Sequence, residues 1–181
     1  GTNSGPFDAA TLFSKPLILV NTTDWSVGFP VNKGDLAILK HTFSRSRHSF
    51  LSIKEILEEP FSCQVFRPPS DEYIKVENTS EEIRDVIEEF LAEPEDYEYS
   101  ASQESFNEGR RSQIHCWLDQ GEPFWPAPTK MDLIIEQYRI ASRADSVAGT
   151  LGQKYLEDNW LVDKLETSSA HISQISRMSA S

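Results

Sequence analysis

Apolar and polar residues fall into blocks that predict an alternating α/β chain. The first apolar block, Pro16-Leu-Ile-Leu-Val20, is continuous and strand-sized, the pattern of a strand covered on both faces in a parallel sheet. A short helix is predicted before it. Pro6 suits a first helical position, Ser4 or Asn3 can cap it, Ala9, Ala10, Leu12 and Phe13 give an apolar face, and Lys15-Pro16 ends it. A loop over Asn21 to Lys33 leads to a second strand over Asp35 to Leu39. Thr42 to Ser49 is polar and basic. Ser52 with Glu55 then forms a capping box for a helix that runs through Glu59, with Leu51, Ile53, Ile56 and Leu57 on its apolar side and Pro60 as its stop.

Gln64 to Asp71 reads as loop, and Tyr73-Ile-Lys-Val76 alternates as a short strand. The clearest helix follows. Thr79 with Glu82, or Asn78 with Glu81, can close its capping box, and Ile83, Val86, Ile87, Phe90 and Leu91 recur at helical spacing. From Pro94 the character changes. Residues 95 to 108 are acidic and aromatic, a polar helix is predicted over Ala101 to Leu118, Gly121 to Pro128 is an aromatic-proline loop, and further helices are predicted over Met131 to Ser142 and Ala148 to Asn159. The serine-rich stretch after Lys164 is expected to be frayed or disordered. This pattern divides the chain into an α/β unit over 1–92, a mainly helical extension over 93–164 and a tail over 165–181.

Composition narrows the function. The net charge is −12, which argues against non-specific nucleic-acid binding. The longest apolar run is far short of the roughly 20 residues that span a bilayer. The charge is uneven: residues 77–108 hold twelve acids and one base, whereas 33–54 hold Lys33, Lys40, Arg45, Arg47 and Lys54 against Asp35 alone. A basic segment in an acidic chain fits a local phosphate site or a solvated face. Cys63 and Cys116 form no framework, and a reducing, cytoplasmic setting is the simpler expectation. Asn21-Thr-Thr and Asn78-Thr-Ser match a glycosylation triplet and have structural uses as well.

The richest candidate chemistry is at the front. Gly1-Thr-Asn-Ser-Gly5 is a small-residue loop opening a helix, where unpaired N–H groups and the positive dipole end suit a phosphate or diphosphate. Thr2, Asn3, Ser4 and Gly5 are therefore the leading substrate-binding residues, and an ordinary turn that needs small residues is the plain alternative. Asp8 can contact a donor sugar hydroxyl or simply stabilise the helix dipole. Lys40 and Arg45 can neutralise a leaving diphosphate. Trp25 can stack on a base or sugar, although a loop tryptophan more often packs on its own domain. Arg47, His41 and His48 are weaker candidates, and His115 and His171 read as structural or exposed. Zinc spacing, a Walker loop, a nucleophile elbow and Asp-x-Asp are all missing from the sequence, so metal-independent chemistry without a cofactor is expected.

The run Gly1 to Val20, with its small-polar Gly-Pro loop, Ala-Ala helix and Lys-Pro strand entry, resembles the second nucleotide-binding domain of glycosyltransferases with two Rossmann-like domains, the GT-B fold. It is similar to heptosyltransferases and, more closely, to a group of bacterial surface-polysaccharide glycosyltransferases. The Leu51 to Leu57 helix, the Asn78 to Ile83 helix start and Tyr155-Leu-Glu-Asp-Asn159 extend the likeness. The resemblance implies an incomplete Rossmann-like C-terminal domain followed by a mainly helical extension. It also implies a nucleotide-sugar donor, a glycan or lipid-linked acceptor, an N-terminal domain missing here, and peripheral association with the inner membrane face. Phe7-Asp8 stands where heptosyltransferases carry a histidine, so that histidine's role does not transfer, and no catalytic residue is assigned. Two alternatives stay open: a nucleotide-sugar 2-epimerase-like domain, and a non-catalytic α/β module using region 94–128 to bind proteins.

Overall fold

The structure is a computed structural model that describes residues 5–23, 25, 29–58, 71–92, 97–119 and 147–160, with backbone alone at 5–8 and 116–119. The chain is mixed α/β. Helix α1 (Gly5–Leu12) leads to strand β1 (Ile18–Thr22), which pairs in parallel with β2 (Leu36–Leu39). The third parallel strand, β6 (Thr150–Leu151), comes from far along the chain and pairs with the other side of β2, so the order is β1-β2-β6. As the central strand, β2 buries all four of its residues.

A second sheet is antiparallel. Strand β3 (His41–Ser44) lies between β4 (Ser49–Phe50) and β5 (Tyr73–Val76). The sequence predicts the last of these strands and not the hairpin. Thr42 to Ser49 carries no glycine or Asn-Gly turn; instead His48 takes a left-handed conformation with φ 52. Glu72 braces the turn by accepting from the Ser44 and Ser46 hydroxyls and the Ser46 N–H.

Both predicted capping boxes form. Ser52 and Glu55 close the start of α2 (Ile53–Glu58), and Thr79 and Glu82 close the start of α3 (Ser80–Leu91). The alternative pairing of Asn78 with Glu81 does not form, because the Asn78 side chain bonds Asn21 and Leu39 instead. On α3, Val86 is buried and Ile83 and Phe90 pack against the core, while Ile87 and Leu91 stay exposed.

Three further expectations need correction. The strand predicted over 16–20 lies two residues later, and the helix predicted from Ala148 begins at Gln153 as α5 (Gln153–Asn159). Ala148, Gly149 and Thr150 donate their N–H groups to Val31, Pro30 and Asp35, and this cross-chain pairing holds them extended. The apolar face predicted for α1 is not covered either: Leu12 and Phe13 are 78% and 70% exposed. The helix runs into β1, an edge strand with no neighbour on its outer side among the described residues.

Helix α4 (Ala101–Asp119) matches its predicted span, yet it is not simply a solvated polar helix. Gln103, Phe106, Asn107, Arg110 and Ile114 recur at helical spacing and are all buried. Gln103 donates to Glu89 and to the Leu151 carbonyl, which ties α4 to α3 and β6. The main core joins Trp25, Phe29, β2, α2, Val86, Phe106, Ile114, Leu151 and Leu156. Each large apolar side chain buried there is worth about 1.5–3 kcal/mol relative to exposure. A smaller cluster of Phe50, Ile74 and Val76, flanked by Phe43, lies on the antiparallel sheet. The helix predicted over 131–142, the loop over 121–128 and the tail from 165 lie outside the described residues.

Candidate functional site

The carboxyl edge of a parallel sheet is where open α/β folds bind ligands. Here that edge is formed by the ends of β1 and β2. The register between them shifts between Leu19 and Thr22, and Asn21 within the shift is left-handed, with φ 55, a conformation asparagine tolerates better than most residues. The twist aims Asn21 across to the loop before α3. Asn21 donates its N–H to Asn78 Oδ1 at 3.0 Å, and Asn78 donates its own N–H to Asn21 Oδ1 at 2.6 Å. Asn78 Nδ2 then reaches the Leu39 carbonyl at the end of β2, at 2.7 Å. The Tyr155 hydroxyl, arriving from α5, donates to the same carbonyl at 2.8 Å.

Beside this node lies His41, whose Nε2 is 2.9 and 3.0 Å from the two oxygens of Glu82. Its ring also packs against Phe50 and Tyr155. Burial pushes the Glu82 carboxyl up, but the hydrogen bond and charge of His41, followed by the hydrogen bonds from Thr79, outweigh it and hold the carboxyl below its ordinary value. Burial, reinforced by the negative charge of Glu82, raises the Tyr155 hydroxyl well above its usual range, and it stays a donor. His41, Asn78 and Tyr155 are buried and hydrogen-bonded, so they position their surroundings.

Lys40 stands at the rim of this edge. It is anchored to the parallel sheet by its N–H on the Thr22 carbonyl at 2.7 Å, and its half-buried ammonium lies 3.4 Å from the exposed carboxylate of Glu77. Arg45 is exposed at the other end of β3. Five residues of extended chain hold the Cα atoms of Lys40 and Arg45 about 17 Å apart. Arg47 pairs with Glu55 at 3.2 Å in the same hairpin. The basic segment is thus dispersed along both sheets. Gly5 opens α1; Thr2, Asn3 and Ser4, and the side chain of Asp8, lie outside the described residues. Trp25 is fully buried in the core and packs on its own domain. Asn78, one of the two glycosylation triplets, is buried with its amide engaged.

Sequence reasoning did not single out Asn78 and Tyr155 as partners at this edge. The one available signal was a paired Asn-Thr start: Asn78 precedes a capping threonine that already satisfies the helix, which frees the asparagine for another use. Among the described residues no three His, Cys, Asp or Glu side chains gather as a metal site, and no helix is long and apolar enough to cross a membrane. Comparison with protein-family models, curated proteins and solved structures finds no match.

Proposed function

We propose that this chain is the donor-binding part of a GT-B glycosyltransferase, one that moves a sugar from a nucleotide donor to a glycan or lipid-linked acceptor. The observation that carries the reading is Lys40, a half-buried cation leaving the carboxyl edge of a parallel sheet from a backbone position fixed by Thr22. Helix α1, opening at Gly5 immediately after the Thr2–Ser4 stretch, supports it.

In this reading the donor's diphosphate lies between the amides at the start of α1 and the Lys40 ammonium. As the acceptor oxygen bonds the anomeric carbon, the bond from that carbon to the diphosphate breaks, and the electron pair stays on the phosphate oxygen. Preorganised donors aimed at that growing charge lower the barrier. The acceptor's proton passes to a base on the companion N-terminal domain. Glu77 holds Lys40 in place in the free protein and yields it to the diphosphate. Arg45, at the far end of β3, has no part in this contact.

Calorimetry with uridine, guanosine and cytidine diphosphates on the full chain tests the reading. Saturable binding of one of them is expected, weakened about tenfold by Lys40→Ala and strongly by Ser4→Trp. If none of the three binds, or if both variants keep the parent's affinity, the proposal fails. Conversion of a nucleotide sugar without acceptor assigns the site to epimerisation instead.

A further inference from the structure

The opposite, amino-terminal edge of the parallel sheet carries a second concentration of positive charge. Arg110 on α4 is fully buried, 0% exposed. Its Nη2 donates to the Val147 carbonyl at 3.0 Å, and its guanidinium lies 4.9 Å from the centre of the Phe29 ring. Nε and Nη1 are both buried, with no hydrogen-bond partner among the described residues. Two more cations lie, with Arg110, around Tyr99. Lys33 Nζ sits 5.6 Å from the centre of the Tyr99 ring. Arg111 is half-buried beside Arg110, and the charges of both arginines act on the Tyr99 hydroxyl, which donates to the Ala148 carbonyl.

Among the described residues no carboxylate pairs with any of the three. Asp35, the buried acid at this edge, is committed to the N–H groups of Leu17 and Asn32 and to the Asn32 amide. In a chain of net charge −12, three cations with no acid partner among the described residues call for another explanation. A buried guanidinium with two idle donors is among the costliest groups a fold can hold, and unpaired buried groups in native proteins point to an unseen ion or water. Burial, with Arg111 adding to it, lowers the Arg110 pKa to about 10, so the group is still charged at neutral pH.

We infer that Lys33, Arg110 and Arg111, gathered around Tyr99, form a binding site for a phosphate-type dianion, distinct from the Lys40 edge. Three positive charges suit a dianion better than a carboxylate, and arginine donors match tetrahedral oxygens. Arg110 forms the floor, and Arg111 and Lys33 form the rim. The buried Thr150 hydroxyl, unpaired on the neighbouring strand β6, is a further donor at this edge.

The test is thermal unfolding of the full chain in rising inorganic phosphate, with chloride holding ionic strength constant. A saturable rise in midpoint temperature is expected, with its half-saturation shifted at least tenfold in Lys33→Gln and in Arg111→Gln. The rise should vanish in Arg110→Met and persist in Lys40→Ala. If Arg110→Met does not fold, the two rim variants decide. The inference is overturned if phosphate acts no differently from chloride, or if the rim variants keep the parent's half-saturation. It is also overturned if Lys40→Ala alone removes the response, which would place the anion at the carboxyl edge.

Discussion

Asn21 and Asn78, 57 positions apart, exchange backbone N–H to side-chain oxygen hydrogen bonds in both directions, at 3.0 and 2.6 Å. The pair locks the end of β1 to the loop that starts α3, and through Asn78 Nδ2 it also fixes the last carbonyl of β2. Asn78→Ala strands the Asn21 N–H and takes one of two donors from Leu39. Leaving such groups unmet is expected to cost about 2–4 kcal/mol. Asn78→Asp keeps an acceptor for Asn21 and sets an anion against the Leu39 carbonyl, so it should also destabilise. Urea unfolding measures both, and a loss under about 0.5 kcal/mol in Asn78→Ala would show that the exchange adds little.

Gly149 marks a close approach of two backbones. A Cβ built there would lie 2.4 Å from the Pro30 carbonyl oxygen and 2.6 Å from Pro30 Cβ. Neither atom belongs to a flexible side chain that can swing away. The approach exists because Gly149 donates its N–H to that same Pro30 carbonyl at 3.2 Å, which feeds the chain into β6. Gly149→Ala is expected to cost about 3 kcal/mol or more by forcing the two segments apart. Circular dichroism melting should show a large drop, and wild-type stability in this variant would mean that the segments part freely.

What the sequence reveals about this fold is mainly what neighbouring residues decide between themselves. The boxes Ser52–Glu55 and Thr79–Glu82 are legible because each is a contact across three residues. The alternation of Tyr73 to Val76 is legible for the same reason, with Ile74 and Val76 buried on one face. The hairpin of β3 and β4 is hidden because its turn is braced by Glu72, 26 positions from Ser46. Strand β6 is two residues long and is held by β2, so no periodicity announces it. On α4, Gln103 and Arg110 read as surface residues until Glu89, Leu151 and Val147 are seen to receive them. At the candidate site, Lys40 stands at the sheet edge, and the node behind it was unreadable because Tyr155 meets Leu39 across 116 positions.

The end of α1 offers a stabilising change. Ser14 sits at φ 48, with its N–H on the Thr11 carbonyl and the Lys15 N–H on the Ala10 carbonyl, the bonding of a Schellman turn. Glycine is the usual occupant of that position, because a side chain there crowds the carbonyl. Ser14→Gly is expected to raise stability by about 0.5 kcal/mol, after the entropy it adds to the unfolded chain is counted. Ser14→Val, β-branched, should lower stability by more than about 1 kcal/mol. Equal melting temperatures for the two variants would remove the left-handed conformation as the cause.

Glu72 predicts a pH dependence with a definite sign. Hydrogen bonds from the Ser44 hydroxyl first, then from the Ser46 hydroxyl and N–H, pull its carboxyl from an ordinary 4.5 down to about 2. Between those values the unfolded chain binds the proton more readily than the folded one. The stability that Glu72 supplies is therefore complete above about pH 4.5 and disappears as pH falls toward 2. Glu72→Gln keeps an acceptor for the serines and removes the charge that strengthens their bonds. The variant should be less stable than the parent at pH 7, and the two unfolding curves should draw together on acidification. Urea midpoints at pH 7, 4 and 2.5 test this, and a gap that stays constant across the three would show that the serines hold the hairpin turn without help from the carboxylate's charge.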